Sequence, residues 1–245
     1  MLLTLDVGNT FFKCAVFEDN SILEKVVFEK ENAIFELKKI LKKFSSISAC
    51  VSSSVGKKGS EVKEFIKSQV SFIEIERDFS FPFVNKYSTP DTLGIDRIVL
   101  VSGASILYPK KNVLIIDAGT CITYDLLTDT NEYYGGAISP GIAIRYKSLN
   151  NYTAKLPLLE KETPNSYIGN STNNAIHSGI VNGVLYEIDG FISQYQVNFQ
   201  DLTIILTGGD ADFLAKSLKS AIFANSNFLL ESLNALFRYS KNTKW

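Results

Sequence analysis

Short apolar runs and helical periodicities alternate along this chain, in an order that occurs twice. In the first half, apolar runs at residues 2–7, 13–18 and 22–28 predict three consecutive strands, because polar turn residues separate them. Apolar positions three and four apart then predict a helix over 31–44, with its lysines on the solvent face. The remaining predicted elements of this half are a strand at 47–51, a helix at 61–69, a strand at 72–75, a proline-containing loop at 79–91 and a helix at 93–107.

The second half repeats that order. Its predicted elements are strands at 113–116, 121–127 and 133–138, a helix after Pro140, a polar stretch at 150–173, a long helix at 174–195, a strand at 202–206 and a helix at 232–239. The repetition predicts a duplicated α/β fold, with two βββαβα-type halves and a cleft between them. A short polar linker after Pro109 sets the predicted halves at 1–109 and 110–245.

Charge and hydropathy exclude two classes of partner. The 245 residues carry 25 Lys and Arg against 26 Asp and Glu, so the chain lacks the basic excess typical of nucleic-acid binding. The most apolar stretch, 98–108, is bounded by charged residues and is shorter than the roughly 20 residues that cross a bilayer. We therefore expect no nucleic acid and no membrane as partners.

Cysteine and histidine usage narrows the chemistry further. Cys14, Cys50 and Cys121 are far apart in the sequence, which predicts reduced, buried side chains in a cytoplasmic protein. His177 is the only histidine, so a zinc site could use at most one histidine ligand and a Ser-His-Asp triad would have to contain His177. We expect His177 to pack within a helix or lie on its surface.

Each half opens with a strand that runs into an aspartate and a glycine turn, Asp6-Val7-Gly8-Asn9-Thr10 and Asp117-Ala118-Gly119-Thr120. A glycine turn can present several backbone N–H groups, and a carboxylate beside them suits a metal-bound polyphosphate. Lys13 could add a positive charge for a phosphate. The first turn alone is equally compatible with an ordinary hairpin. The matching second turn and a third glycine turn at 207–210 favour a nucleotide site.

A further motif, Gly94-Ile95-Asp96-Arg97, follows the proline-containing loop and opens a helix. A single aspartate can orient an acceptor hydroxyl and accept its proton, which makes Asp96 a candidate base for phosphoryl transfer. Arg97 has the fork geometry that suits a substrate carboxylate. The alternative is a surface Asp–Arg pair in the first turn of a helix, where the helix dipole favours an acidic residue.

Taken in order, these motifs resemble those of type III pantothenate kinases, members of the acetate and sugar kinase, heat-shock cognate and actin superfamily. The resemblance covers nearly the whole chain. Its segments are Asp6-Val7-Gly8-Asn9-Thr10, Tyr87 seven residues before Gly94-Ile95-Asp96-Arg97, Asp117-Ala118-Gly119-Thr120, Gly135-Gly136-Ala137-Ile138-Ser139-Pro140-Gly141, and Thr172 ahead of Ala175-Ile176-His177-Ser178-Gly179. It implies a duplicated ribonuclease H-like fold of the actin-like ATPase type, with a nucleotide cleft between the halves.

The resemblance also implies an activity, transfer of the γ-phosphate of ATP to the primary hydroxyl of pantothenate, the first step of coenzyme A biosynthesis. Asp96 would be the catalytic base, Asp6 would position a divalent cation such as Mg²⁺, and Asp117 would bind a monovalent cation, K⁺ or NH₄⁺. The implied ATP contacts are Asp6, Val7, Gly8, Asn9, Thr10, Phe11, Phe12, Lys13 and Thr120. The implied pantothenate contacts are Tyr87, Gly94, Ile95, Asp96, Arg97 and Thr172.

The family forms homodimers, so the resemblance implies a homodimer here. In the predicted helix 174–195, Gly179 and Gly183 are four residues apart and hence on one face, where another backbone could approach closely. That backbone could belong to a second copy of the chain or to a strand of the same chain.

Two other functions stay open on sequence alone. One is another enzyme of the same fold, such as a sugar or acetate kinase, because a fold does not choose a substrate. The other is a non-catalytic regulatory protein, since some relatives of the family were described as transcriptional activators. The near-neutral charge argues against direct DNA binding. Tyr87 together with the Gly94–Arg97 motif favours pantothenate as the acceptor.

Overall fold

The computed structural model describes residues 1–8, 11–53 and 59–242. Internal contacts group the chain into two compact units. The first unit is Met1–Pro109 together with the chain from Asn227 onward, and the second is Lys110–Ser226. No helix within the described ranges combines the length and apolar character needed to cross a bilayer.

The first unit contains one sheet. Its strands are β1 (Leu2–Val7), β2 (Phe11–Glu18), β3 (Ser21–Glu29), β4 (Ala49–Ser53) and β5 (Ser71–Ile75). Their order across the sheet is β3-β2-β1-β4-β5. Strand β2 is antiparallel to both β1 and β3, whereas β4 and β5 run parallel to β1. The central strand β1 is a nearly continuous apolar run, as expected for a strand that is buried on both faces.

Helices cover both faces of this sheet. The further elements are α1 (Ala33–Lys43), α2 (Ser60–Gln69), the two-residue strand β6 (Val84–Asn85) and α3 (Ile95–Leu107). On one face, α1 and α2 pack on Leu3 and Leu5 of β1 in one apolar cluster. On the other face, Val99 of α3 joins a second cluster with Leu2. The alternation of Leu2 with Leu3 and Leu5 follows the two-residue period of a strand.

The second unit repeats this topology. Its elements are β7 (Val113–Ala118), β8 (Cys121–Leu127), β9 (Glu132–Pro140), α4 (Ile142–Asn151), α5 (Thr172–His177), α6 (Gly183–Asn198), β10 (Thr203–Thr207), α7 (Ala211–Leu214) and β11 (Phe223–Ala224). The strands that belong to this unit lie in the order β11-β10-β7-β8-β9. Strand β8 is antiparallel to both β7 and β9, whereas β10 and β11 run parallel to β7. Since β7 occupies the place of β1, the expected duplicated ribonuclease H-like fold is confirmed.

The long helix predicted at 174–195 is interrupted. A π-helical turn, Ser178–Asn182, separates α5 from α6. His177, the last residue of α5, is buried, and its Nδ1 lies 2.7 Å from the hydroxyl oxygen of Tyr146. The expectation that His177 has a packing role is therefore confirmed.

The cysteines differ from the prediction at one position. All three are free thiols, and Cys14 and Cys50 are buried in the first unit as expected. Burial raises the pKa of the Cys14 thiol to about 12. Cys121 is exposed, so the expectation of three buried cysteines is wrong for this residue. It begins β8 directly after the glycine turn, at the end of the sheet rather than in its interior.

The C-terminal helix, α8 (Phe228–Asn242), groups with the first unit, whereas sequence analysis placed all residues after 109 in the second half. Leu230 and Leu233 of α8 join Val99 of α3 in the apolar cluster on one face of the first sheet. At their crossing, Gly103 of α3 lies against Ser232 of α8, and a Cβ at Gly103 would be 2.9 Å from the Ser232 Cα. An amphipathic pattern predicts a buried helix face, but it does not predict which sheet covers that face.

The contact between α3 and α8 predicts a specific loss of stability. Gly103→Ala should destabilise the chain by about 1–3 kcal/mol, because the added methyl group overpacks a closed crossing. Gly209→Ala is the matched control, since a Cβ at Gly209 would have no neighbour within 4 Å among the described residues. Thermal unfolding of both variants checks this. An unchanged midpoint for Gly103→Ala would contradict the close approach of the two helices.

Candidate active site

The register of the first sheet fixes the surroundings of Asp6, near the carboxyl end of β1. Lys13 of β2 lies directly opposite Asp6 on one side, and Ser53 of β4 lies opposite on the other. The Ser53 hydroxyl donates a hydrogen bond of 3.3 Å to Asp6 Oδ1. Burial raises the pKa of Asp6 and the nearby Asp96 raises it further, while Lys13 and Ser53 act in the opposite direction. Asp6, Lys13 and Asp96 thus form one electrostatic cluster in the first unit.

The turn after β1 is described only in part. At Gly8 a Cβ would lie 2.5 Å from the carbonyl oxygen of Phe11, so the turn has room only for glycine. Asn9 and Thr10, two of the implied ATP contacts, lie outside the described residues. The Phe12 side chain is buried in the core beside Phe28, with ring centroids 6.1 Å apart, and therefore takes no part in a surface site.

Asp96 lies in the first turn of α3 and is exposed to solvent. Its Oδ1 accepts a hydrogen bond of 2.9 Å from the backbone N–H of Arg97. Gly94 caps the helix, and a Cβ there would overlap with Asp96 Oδ1, so glycine leaves the space that this carboxylate occupies. The helix dipole stabilises a negative charge at this end. The motif therefore presents an oriented carboxylate to solvent.

The structure brings two of the implied pantothenate contacts together. Arg97 is only 6% exposed, and its guanidinium carbon lies 5.6 Å from the centroid of the Tyr87 ring. A cation over an aromatic face is held by the ring quadrupole, which orients the guanidinium. The Ile95 side chain instead packs on the apolar cluster beneath α3. Arg97 and Tyr87 are thus a preformed pair, and Ile95 supports the helix that carries it.

Asp117 occupies in β7 the position that Asp6 occupies in β1. Thr207 of β10 lies opposite it on one side, as Ser53 does for Asp6. Thr123 of β8 lies opposite on the other side, in the position of Lys13. The Thr123 Oγ1 is buried and, within the part of the chain that the structure describes, has no hydrogen-bond partner. The second unit therefore has a neutral hydroxyl where the first has a lysine.

Two glycine turns pack on the turn that follows Asp117. Gly208 has a φ of +99°, and a Cβ there would lie 2.6 Å from the Ala118 carbonyl carbon. The Asp210 N–H donates a hydrogen bond of 2.9 Å to the Ala118 carbonyl oxygen. On the other side, the Gly141 N–H donates a hydrogen bond of 3.0 Å to the carbonyl oxygen of Thr120. The 207–210 turn therefore lies directly on the Asp117 turn. Sequence analysis named no individual residue of the 207–210 turn as a ligand contact.

Thr172 is the first residue of α5 and is exposed. It belongs to the second unit, whereas Tyr87, Asp96 and Arg97 belong to the first. Sequence reasoning missed Ser53 and Thr123, because an isolated serine or threonine in a strand carries no signal of its own. Aligning the two halves on Asp6 and Asp117 would have identified both as the residues opposite the aspartates.

The oxygen atoms present suit two kinds of cation. Among the described residues, no three His, Cys, Asp or Glu side chains are grouped to hold a metal ion. A Mg²⁺ ion bound together with a nucleotide would use one or two carboxylates, such as Asp6, along with phosphate oxygens. The Asp117 carboxylate and the unpartnered Thr123 hydroxyl share one face of the sheet and offer hard oxygen ligands for a further cation.

Comparison with known proteins supplies the family. The family described as type III pantothenate kinase matches residues 2–194. A type III pantothenate kinase from Flavobacterium johnsoniae is 56% identical over 239 residues, which cover 98% of each chain.

Solved structures show the same fold at lower identity. A protein from Campylobacter jejuni named as a conserved Baf family transcriptional activator has a TM-score of 0.64 and 21% identity, covering 98% of this chain and 99% of its own. The (R)-2-hydroxyglutaryl-CoA dehydratase component A from Acidaminococcus fermentans has a TM-score of 0.55 and 14% identity, covering 99% of each chain. These two matches support the fold alone, and the family follows from the sequence matches. The chain belongs to the type III pantothenate kinase family.

Proposed function

We propose that this chain transfers the γ-phosphoryl group of ATP to the primary hydroxyl of pantothenate, with Asp96 as the base. Family membership supports the reaction, and one observation supports the base. Asp96 is an exposed, oriented carboxylate in the same electrostatic cluster as Asp6 and Lys13. A base must be accessible to the acceptor hydroxyl and close to the groups that handle phosphate.

In the proposed step, the pantothenate hydroxyl oxygen forms a bond to the γ-phosphorus while the bond to the bridging oxygen breaks. ADP leaves with that electron pair, and the hydroxyl proton passes to Asp96. Arg97, oriented on the Tyr87 ring, would bind the pantothenate carboxylate through its guanidinium. Gly94 leaves room for the base, and Thr172 remains a proposed pantothenate contact.

The turn from Asp6 to Lys13 would bind the ATP phosphates. Asp6 would hold the divalent cation, and Lys13 would contribute a fixed positive charge from the strand opposite. When bound, Mg²⁺ neutralises charge on the transferred phosphoryl group. Burial disfavours the ionised form of Asp6 and raises its pKa, and a bound cation would stabilise that ionised form.

A monovalent cation, K⁺ or NH₄⁺, is proposed at Asp117, and Thr120 is proposed as an ATP contact. The support is the difference between the two units. Lys13 lies opposite Asp6 in the strand register and acts to lower its pKa, whereas the neutral Thr123 lies opposite Asp117, with a hydroxyl that is unpartnered within the described chain. The Asp117 carboxylate and the Thr123 hydroxyl lie opposite each other across the β7–β8 pair and would supply two oxygen ligands to that cation.

A homodimer through α6 is proposed from the outer face of that helix. Within the described chain, and apart from the adjacent backbone of the same helix, no atom lies within 4 Å of a Cβ placed on Gly179, Gly183 or Gly190. The alternative in which these glycines accommodate a strand of the same chain therefore finds no support. Tyr186, three residues after Gly183, is 60% exposed and can insert against a glycine of a second copy. Exposed aromatic side chains beside small residues are typical of interfaces.

The base assignment predicts the effect of one isosteric change. Asp96→Asn keeps the size of the side chain but cannot accept the proton, so kcat should fall by about 10²–10⁴. Asp91→Asn, which removes an exposed carboxylate from the same segment, should leave kcat unchanged. The rate of ADP release is measured for each variant with pantothenate, a sugar and acetate as acceptors. The comparison of variants tests the base, and the comparison of acceptors tests the substrate. Near-normal turnover of Asp96→Asn would contradict the base, and equal turnover of all three acceptors would contradict pantothenate specificity.

The raised pKa of Asp6 predicts that activity and stability change in opposite directions. The folded chain holds this proton to a higher pH than the unfolded chain, so stability falls as pH rises between the two pKa values. Asp6→Asn removes that cost. It should raise the thermal midpoint at neutral pH by a few degrees and abolish turnover. The difference in midpoint should vanish below about pH 3, where aspartate is protonated in both states. A lower midpoint at neutral pH would contradict the argument.

The proposed interface predicts the oligomeric state of two glycine variants. Gly183→Leu should give folded monomers with weakened pantothenate binding, because a large side chain blocks close approach of the second α6. Gly183→Ala adds one methyl group in open space and should keep the dimer. Light scattering with circular dichroism separates assembly from folding. A dimeric Gly183→Leu protein with normal pantothenate affinity would exclude this face as the interface.

A further inference from the structure

We infer that Arg145 of α4 is a positioning residue for the Gly119–Thr120 turn, and that Glu187 of α6 holds Arg145 in place. The inference deepens the proposed function and rests on it for one point, the role of this turn in ATP binding. The positioning itself is argued from contacts within the second unit. None of the motifs that identify the family includes either residue.

The guanidinium of Arg145 connects the end of β9 to α6. Its Nε donates a hydrogen bond of 2.8 Å to the Pro140 carbonyl oxygen, and its Nη2 donates one of 2.8 Å to Ser139 Oγ. The same Nη2 donates a hydrogen bond of 2.6 Å to Glu187 Oε2. A planar fork can serve acceptors in these different directions at once, whereas a lysine ammonium on a flexible stem cannot fix all three.

Glu187 is itself held from its other side. Its Oε1 accepts a hydrogen bond of 2.9 Å from the hydroxyl of Tyr124. Tyr124 is fully buried, and its ring stacks on that of Phe191 with the ring centroids 4.1 Å apart. Burial acts to raise the pKa of Glu187, but hydrogen bonds from Arg145, Ser139 and Tyr124 outweigh it, and the pKa lies below the ordinary value. The lowered pKa favours the ionised form of Glu187, which is paired with the guanidinium of Arg145.

Backbone contacts connect the end of β9, where Arg145 binds, to the Gly119–Thr120 turn. Pro140 lies opposite Cys121 in the β8–β9 register, and the next residue, Gly141, donates its N–H to the Thr120 carbonyl oxygen at 3.0 Å. A Cβ at Gly141 would lie 2.5 Å from that same oxygen, so the two segments are in close contact. A shift of Pro140 must therefore move Thr120 or Cys121. Arg145 acts through this backbone contact and does not itself touch the turn.

A purely structural ion pair is the competing explanation, because partly buried ion pairs often contribute little to stability or function. The first unit provides a matched pair for comparison. Lys63 of α2 is ion-paired with Glu74 of β5, and it also joins a helix to a strand. It lies outside every segment proposed to bind substrate. Lys63→Met therefore reports what the loss of an ordinary helix–strand ion pair does in this chain.

Cys121 provides a readout that does not depend on turnover. It is the one exposed cysteine of the three, and it adjoins Thr120. We expect Arg145→Lys to increase the rate at which iodoacetamide alkylates Cys121 severalfold in the absence of nucleotide, since Pro140 is no longer fixed. Lys63→Met and the wild type should react at equal rates. The thermal midpoint, measured in parallel, controls for general loosening.

Kinetics of the same variants test the consequence for ATP. Arg145→Lys and Glu187→Gln should each raise the KM for ATP about tenfold, the size expected for one hydrogen bond to a charged group. The KM for pantothenate should change less than about twofold, because the proposed contacts of its carboxylate lie in the first unit. The double variant should be no worse than either single variant, since both remove one connection.

The outcomes separate this inference from the proposed function. Unchanged Cys121 alkylation in a folded Arg145→Lys protein overturns the positioning role, whatever the kinetics. Similar increases in the KM for ATP and in the KM for pantothenate, together with a lower thermal midpoint, also overturn it. Such a result indicates general destabilisation. If the wild type shows no turnover with pantothenate, the proposed function fails, while the alkylation rates still decide the positioning. Should Arg145→Lys not fold, Glu187→Gln carries the same test, since it keeps the bond from Tyr124.

Discussion

The register of the central strand fixes which side chains lie opposite the aspartate near its carboxyl end. Both units have this arrangement, and they differ in the side chain that the antiparallel neighbour supplies. Asp6 faces Lys13 across the antiparallel pair, whereas Asp117 faces Thr123, with an unpartnered hydroxyl among the described residues. The same fold thus places a lysine opposite one aspartate and a neutral hydroxyl opposite the other. This difference gives the two halves of a duplicated fold different proposed roles.

The rest of the candidate site holds these carboxylates in fixed orientations. Gly94 leaves room for Asp96, and Gly208 lies against the Asp117 turn with a left-handed φ that a larger residue would strain. In the second unit Arg145 and Glu187 add a polar connection from α6 to the end of β9. Preorganised groups of this kind cost no rearrangement when charge develops on a transferred phosphoryl group.

The sequence predicted most of the fold, since the apolar runs of β1 and β7 and the helical period of α1 are local patterns. It missed β11, whose two residues are exposed and show no periodicity. It also missed the π turn before α6 and the packing of α8 on the first unit, because both depend on contacts with distant residues. For the candidate site it proposed the two aspartates and the Asp96 motif, and these roles stay predictions. It could not identify Thr123 or Arg145, because their significance comes from register and from tertiary contact.

The central claim is that Asp117 and the Thr123 hydroxyl opposite it form the proposed monovalent-cation site, and the Thr123→Lys variant tests it most directly. A lysine at this position reproduces in the second unit the arrangement of Asp6 and Lys13. The measurement is the ratio of turnover in K⁺ to turnover in Na⁺ at constant ionic strength. We expect a large ratio for the wild type and a ratio close to one for Thr123→Lys. A folded Thr123→Lys protein that keeps the wild-type ratio, or a wild type indifferent to the two ions, would contradict the account.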